Sequence, residues 1–201
     1  MSELSDFKLQ WINCTRCALA NEGRSKVIFS DGPEDARIMI VGESPGAVED
    51  QQGIPFSGPA GKLLNELLIE AGFKRSDFYI TNSVHCKPLN NHKPSVVELR
   101  ACKTMLDKEI ECVRPNVILL LGAVASLQVC GISSSMSSTR GLWMEYKGVP
   151  AISTYHPAAV LHTRDLDPAK SKMYRDHIVQ DLKTVKEKLI SVTPQNGDTS
   201  F

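Results

Sequence analysis

The stretch Ala36–Leu68, ARIMIVGESPGAVEDQQGIPFSGPAGKLLNELL, contains the features that decide the fold. It begins with the run ARIMIVG (36–42), which is almost continuously apolar, as is typical of a strand buried on both faces of a sheet. A segment rich in glycine, proline and carboxylates follows, and the leucines from Leu63 onward then recur at helical spacing. A buried strand, a loop and an amphipathic helix in this order form the first part of a parallel α/β unit.

Three further apolar runs have the length of strands, namely DFYITNSV (77–84), NVILLLG (116–122) and VPAISTYHP (149–157). Helical patterns lie between the strands and after the last one, at 62–71, 95–113, 123–131 and 173–190. The segment 95–113 opens with Ser95 and Glu98, three residues apart, which predicts a capping box. Strands that alternate with helices predict a parallel sheet of the α/β class.

Length and composition predict one domain, residues 1–190, followed by a flexible tail, 191–201. The chain has 201 residues, 42% of them hydrophobic, with no continuous apolar run long enough to cross a membrane and no signal-peptide pattern at its start. We therefore expect a monomer in the cytoplasm without a membrane partner. A formal net charge of zero argues against a protein that coats nucleic acid by charge alone.

Unusual residues stand where each predicted strand ends. Gly42, Glu43 and Ser44 end the first strand, and Asn82, Gly122 and His156 end the others in turn. In open α/β sheets, ligands bind beyond the carboxyl ends of the strands. The sequence therefore predicts one ligand site at that edge of the sheet.

Four of the six cysteines form two groups that predict a metal centre. Cys14 and Cys17 make a C-x-x-C pair, and Cys86 and Cys102 are separated by fifteen residues. Four thiolates suit either zinc or an iron–sulfur cluster. The wide second pair differs from the two tight pairs of a zinc ribbon and favours a cluster, while buried free thiols are the remaining alternative.

Two motifs resemble those of a known family. The stretch GESPGAVEDQQGIPFSGPAGKLL (42–64) resembles the first motif of the family-4 uracil-DNA glycosylases, and TYHPAAVL (154–161) resembles their second motif. The four cysteines match the spacing of that family's 4Fe-4S cluster ligands, and the resemblance runs from about Cys14 to Leu189. It implies a three-layer α/β/α fold with a central four-stranded parallel sheet and a structural 4Fe-4S cluster.

The same resemblance implies a DNA repair enzyme of the base excision type. Such an enzyme binds DNA that contains uracil, flips the base out and hydrolyses its N-glycosidic bond, leaving an abasic site without a lyase step. Phe56 would stack on the uracil, Asn82 would read its hydrogen-bonding edge, and His156 would donate to its O2 atom. Residues 42–44 would bring the main chain, with Gly42, Glu43 and Ser44, close to the base.

Further roles follow from the matched positions. Glu49 corresponds to the carboxylate that orients the attacking water, and Glu43 is the second candidate. Gly58 and Gly61 would let the backbone approach DNA phosphates at the start of the next helix. Leu161 would act as a wedge that fills the gap left by the flipped nucleotide. Arg164 would also contact the DNA.

Departures from the family pattern leave two alternatives open. Ser44 stands where the family usually has glycine or alanine, and the second motif reads HPAAVLH where HPS-x-LLR is usual. The same chemistry with a shifted base range, such as hypoxanthine, xanthine or 5-hydroxymethyluracil, is one alternative. A non-catalytic iron–sulfur module that only binds DNA is the other.

Overall fold

The computed structural model describes residues 2–192 and contains one five-stranded sheet. The strands lie in the order β2-β1-β3-β5-β4, and the first four of these run parallel. Their bounds are Ile38–Gly42 (β1), Phe78–Asn82 (β2), Val117–Leu121 (β3), Trp143–Tyr146 (β4) and Val149–Thr154 (β5). The four predicted strands are therefore confirmed, and each is shorter than the apolar run that predicted it.

The fifth strand, β4, corrects the expected count of four. It pairs antiparallel with β5 at one edge of the sheet, through a two-residue turn at Lys147 and Gly148. Both turn residues have positive φ, 49° and 82°, which matches the twist of a tight hairpin. The sequence analysis missed β4 because WMEY is short and half-exposed, so it lacks the apolar run of a buried strand.

Helices cover both faces of the sheet. Those in the described residues are Glu3–Trp11 (α1), Ala47–Gln52 (α2), Pro59–Glu70 (α3), Val96–Val113 (α4), Gly122–Cys130 (α5), Met136–Thr139 (α6), Pro157–Thr163 (α7) and Pro168–Val192 (α8). The predicted capping box opens α4: the Ser95 N–H donates to Glu98 Oε2 over 2.7 Å, and the Glu98 N–H donates to Ser95 Oγ over 3.3 Å.

The core forms one layer on each side of the sheet, which confirms the three-layer architecture. Ile38 and Ile40 of β1 pack on one side with leucines of α3 and with α8, while Met39 and Val41 pack on the other side with α4 and α5. Alternate residues of a strand point to opposite faces, so a strand buried on both faces must be apolar throughout. All five residues of β1 are buried.

The predicted boundary between domain and tail, at residue 190, stays a prediction. Helix α8 extends to Val192, two residues past the predicted domain boundary at 190, and the rest of the predicted tail lies outside the described residues. Among residues 2–192, no helix is both long and apolar enough to cross a membrane.

Candidate active site

Gly42 brings two predicted site residues together at the carboxyl edge of the sheet. It is the last residue of β1 and pairs directly with Asn82, the last residue of β2. A Cβ atom at position 42 would collide with Asn82 Oδ1 and come within 2.5 Å of Cζ of Phe56. Only glycine leaves room for this approach, so an amide and an aromatic ring meet above the end of β1.

Phe56 lies in a tightly held loop between α2 and α3. Its φ angle is 54°, in the left-handed region that a non-glycine residue seldom adopts. The guanidinium of Arg75 donates to the carbonyl of Phe56 over 3.2 Å and to that of Pro55 over 2.7 Å. Gly61 packs so closely that an added Cβ atom would collide with the Phe56 carbonyl. The surrounding contacts thus stabilise a strained backbone that fixes the ring.

His156, which follows β5, completes the convergence at the same edge of the sheet. Its ring centroid lies 5.7 Å from that of Phe56, with the planes inclined by 27°. The Ala158 N–H donates to His156 Nδ1 over 3.1 Å, so a neutral ring carries its proton on Nε2. Desolvation lowers the pKa of His156 to about 4, and the charge of nearby His162 acts in the same direction. At neutral pH, His156 is therefore an uncharged hydrogen-bond donor.

Two buried polar atoms at this edge have no hydrogen-bond partner within residues 2–192. They are Oδ1 of Asn82, a residue that is only 1% exposed, and the hydroxyl of Ser57, which neighbours Phe56. An unpaired buried acceptor costs about 1–3 kcal/mol, so it is usually satisfied by water or a ligand. Asn82 was predicted as a site residue. Ser57 was not, because a serine in a glycine- and proline-rich loop gives no sequence signal of burial.

The two candidate carboxylates have different environments. Glu49 lies in α2 and is buried, and its Oε1 and Oε2 atoms accept hydrogen bonds from the N–H groups of Gly58 (2.7 Å) and Gly46 (3.1 Å). Glu43 is half-buried, and desolvation raises the pKa of its carboxyl, against a smaller opposing effect from Lys93. Its side chain makes no hydrogen bond or ion pair with any described residue. Glu49 thus braces two loops, while Glu43 and its neighbour Ser44 remain open to a ligand.

The four residues predicted to contact DNA differ in how exposed they are. Gly58 and Gly61 are buried, so the geometry gives them a packing role, and phosphate contact stays a prediction. Leu161 is partly buried against the core, whereas Arg164 is exposed and lies 3.8 Å from the Asp165 carboxylate. The sequence analysis overlooked Leu166, which is 88% exposed in the turn after α7. The sequence places Leu166 between two aspartates, but only the structure reveals its exposure.

The four predicted ligand cysteines lie together beside α4. Cys86 and Cys102 are buried, and Cys14 and Cys17 pack against the same apolar cluster. A hydrogen bond from Cys102 lowers the pKa of the Cys17 thiol. The guanidinium of Arg24, a residue that the sequence analysis did not single out, donates to Cys86 Sγ over 2.6 Å and also to the Cys14 carbonyl. The thiolate, the form that binds metal, is thus favoured at Cys17, whereas burial raises the pKa of Cys86 against the opposing charge of Arg24, and the Cys17 contact together with burial raises that of Cys102.

The fold is that of an α/β protein, and its candidate site residues converge at the carboxyl edge of the parallel sheet. Residues 29–183 match the family model of the uracil DNA glycosylase superfamily. A type-4 uracil-DNA glycosylase of Thermotoga maritima is 41% identical over 86% of this chain and 88% of the relative. One of Archaeoglobus fulgidus is 36% identical over 93% of this chain and 94% of the relative. The chain belongs to this superfamily and, within it, to the type-4 family.

Proposed function

We propose that the chain is a uracil-DNA glycosylase that acts in base excision repair of DNA. It flips uracil out of DNA and hydrolyses the N-glycosidic bond, which leaves an abasic site without a lyase step. The observation that carries this proposal is the meeting of the Phe56 ring, the Asn82 amide and the His156 imidazole at one edge of the sheet. The names and high similarity of the relatives support the same reaction. We also expect the enzyme to act as a monomer in the cytoplasm.

The Asn82 amide selects uracil by its hydrogen-bonding edge. Its unpartnered Oδ1 accepts from uracil N3–H, and its Nδ2 donates to uracil O4. Cytosine has an acceptor at N3 and a donor at N4, so the same amide opposes it at both atoms. Phe56 supports the face of the base, since an aromatic ring stacks on any pyrimidine.

Bond cleavage uses the neutral His156 donor. As the bond between the sugar and uracil N1 breaks, negative charge develops on the base, and the Nε2–H of His156 donates to uracil O2. Water adds to the electron-poor sugar carbon and releases a proton. Glu49 orients this water with a free lone pair, or Glu43, whose pKa is raised by desolvation, accepts its proton.

Contacts with the DNA backbone surround this site. Gly58 and Gly61 precede Lys62 at the start of α3, where a helix N-terminus favours phosphate. Leu161 fills the gap that the flipped nucleotide leaves, and Arg164 approaches the backbone. Exposed Arg164 agrees with this role better than the two buried glycines do.

The four cysteines fit a structural 4Fe-4S cluster. Cys86 and Cys102 are buried, and Cys14 and Cys17 pack against the same apolar cluster. The wide sequence spacing of Cys86 and Cys102 differs from the two tight pairs of a zinc ribbon and favours a cluster with several irons. Cys14, Cys17, Cys86 and Cys102 would hold the cluster, which would supply iron–thiolate bonds as a structural link between these segments.

An oligonucleotide assay tests the function. A duplex with one uracil is incubated with the chain and then treated with alkali, which breaks DNA at abasic sites. We expect a break at uracil and none in matched duplexes with thymine or cytosine. Retarded migration without a break would support the non-catalytic module instead. Breaks at hypoxanthine, xanthine or 5-hydroxymethyluracil would support the wider base range, for which the half-buried Ser44 hydroxyl near the base is the structural reason.

A further inference from the structure

Arg24 connects the two halves of the cysteine site. One guanidinium nitrogen donates to Cys86 Sγ over 2.6 Å, and the other donates to the carbonyl of Cys14. The position of Arg24 therefore depends on how both cysteine groups are held. Its charge also favours the anionic state of the thiolates and of any cluster that they bind.

The residues that follow Arg24 are tied to helix α2. The Ser25 N–H donates to both carboxylate oxygens of Asp50, over 2.9 Å each, and Lys26 Nζ donates to the Gln51 carbonyl over 3.1 Å. Asp50 is only 4% exposed, and it forms no ion pair with any described residue. A buried carboxylate without a cation depends on the few donors that it has, so the bond to Ser25 matters to its position.

Asp50 follows Glu49 in the chain, and Glu49 braces the proposed active site. The Glu49 carboxylate accepts from Gly46 and Gly58, the residues that flank α2 and the Phe56 loop. Three consecutive residues, Arg24–Lys26, thus join the cysteine site to α2, the helix that precedes the Phe56 loop. We call this segment the connector.

We propose that the connector makes the cysteine site a positioning device for the active site, with Arg24 and Asp50 as positioning residues. The proposal rests on the proposed function and deepens it. Cys86 and the Cys14 carbonyl fix Arg24, the Ser25 N–H fixes Asp50, and Asp50 sets the orientation of α2. Glu49 and Phe56 then take up the geometry that excision requires. Displacements of about 1 Å at a reacting centre can change rates about 100-fold, so even a loosened connector has a measurable effect.

A double-mutant cycle tests this coupling. Arg24→Gln, Asp50→Asn and the double variant are compared with the wild-type protein, and excision rates are divided by the iron-loaded fraction. Each single substitution is expected to lower kcat about 10- to 100-fold with little change in KM, and the double variant to be no slower than the slower single variant. Asp176→Asn, the same chemical change at an exposed position of α8, is the control and keeps full activity.

Hydrogen exchange supplies a second readout. In Asp50→Asn, exchange at the Gly46 and Gly58 amides should accelerate while α4 stays protected, whereas general destabilisation would accelerate both regions. Arg24→Gln tests the connector from its other end if Asp50→Asn does not fold. Two results would overturn the proposal. One is a double variant whose rate loss equals the product of the two single losses, and the other is amide exchange at Gly58 that is as slow in both single variants as in the wild-type protein. Wild-type protein that fails to excise uracil would overturn the proposed function instead, so the two failures are distinguishable.

Discussion

The rings of Phe56 and His156 lie 5.7 Å apart, although one hundred residues separate them in the chain. Phe56 is held by the loop after α2, and His156 caps α7 after β5. The ends of β1 and β2 contribute Gly42 and Asn82 to the same place. The account therefore depends on four separate segments, the Phe56 loop, the start of α7 and the ends of β1 and β2, that act on one base.

Replacement of His156 by asparagine should remove catalysis without removing the fold. Asparagine is a good N-cap, so its amide oxygen can still accept the Ala158 N–H at the start of α7. It does not place a donor where Nε2–H lies. We expect kcat for uracil excision to fall about 10²- to 10³-fold, the usual effect of losing one donor to a developing anion. Single-turnover kinetics measure this fall, and an unchanged rate would contradict the assigned donor.

The lowered pKa of His156 predicts how stability changes with pH. The unfolded ring titrates near 6.5 and the folded ring near 4, so the unfolded state binds more protons between these values. The free energy of unfolding should therefore fall by about 2 kcal/mol from this group as the pH drops from 7 to 5. Urea titrations of wild type and His156→Asn at both pH values measure it. Identical losses in both proteins would show that the ring does not titrate in this way.

Gly61→Ala should displace the Phe56 loop. The added methyl group would collide with the Phe56 carbonyl, which has little freedom because Arg75 also binds it. We expect kcat/KM to fall at least about tenfold, together with a stability loss of about 1–3 kcal/mol from overpacking. Gly131→Ala is the control: its methyl group meets open space, and only its positive φ costs about 1 kcal/mol. Equal activity losses in the two variants would count against a special role for the loop.

The wedge role of Leu161 can be separated from that of Leu166. Leu161 packs partly against the core, so Leu161→Ala should lower the free energy of unfolding by about 1–2 kcal/mol in addition to any effect on DNA. Leu166 is 88% exposed, so Leu166→Ala should leave stability within about 0.5 kcal/mol. If Leu166 enters the duplex, its variant raises KM for double-stranded but not single-stranded substrate. If only Leu161 enters the duplex, Leu166→Ala has the same KM as the wild-type protein for both substrates.

The sequence predicts those parts of the fold that depend on local pattern. The buried strands were visible as continuous apolar runs, and α4 was visible from Ser95 and Glu98. The edge strand β4 was missed because its residues are half-exposed. An apolar pattern reveals a central strand, which is buried on both faces, far better than a half-exposed edge strand.

The site was predicted only where a motif or a strand end marked it. The predicted strand ends do lie at one edge, as the pairing of Gly42 with Asn82 shows. Arg24 and Asp50 were missed because their partners are distant in sequence and include a backbone N–H, which no residue type reveals. The packing role of Gly61 was likewise hidden. A glycine in the sequence is equally compatible with a contact to a DNA phosphate and with close packing against another backbone segment, here that of Phe56.

A crystal structure of the iron-loaded protein with free uracil tests the central claim most directly. We expect the base to stack on the Phe56 ring, with N3 within hydrogen-bond distance of Asn82 Oδ1 and O2 within hydrogen-bond distance of His156 Nε2. Uracil bound elsewhere, or bound at this edge without contacts to Asn82 and His156, would contradict the account.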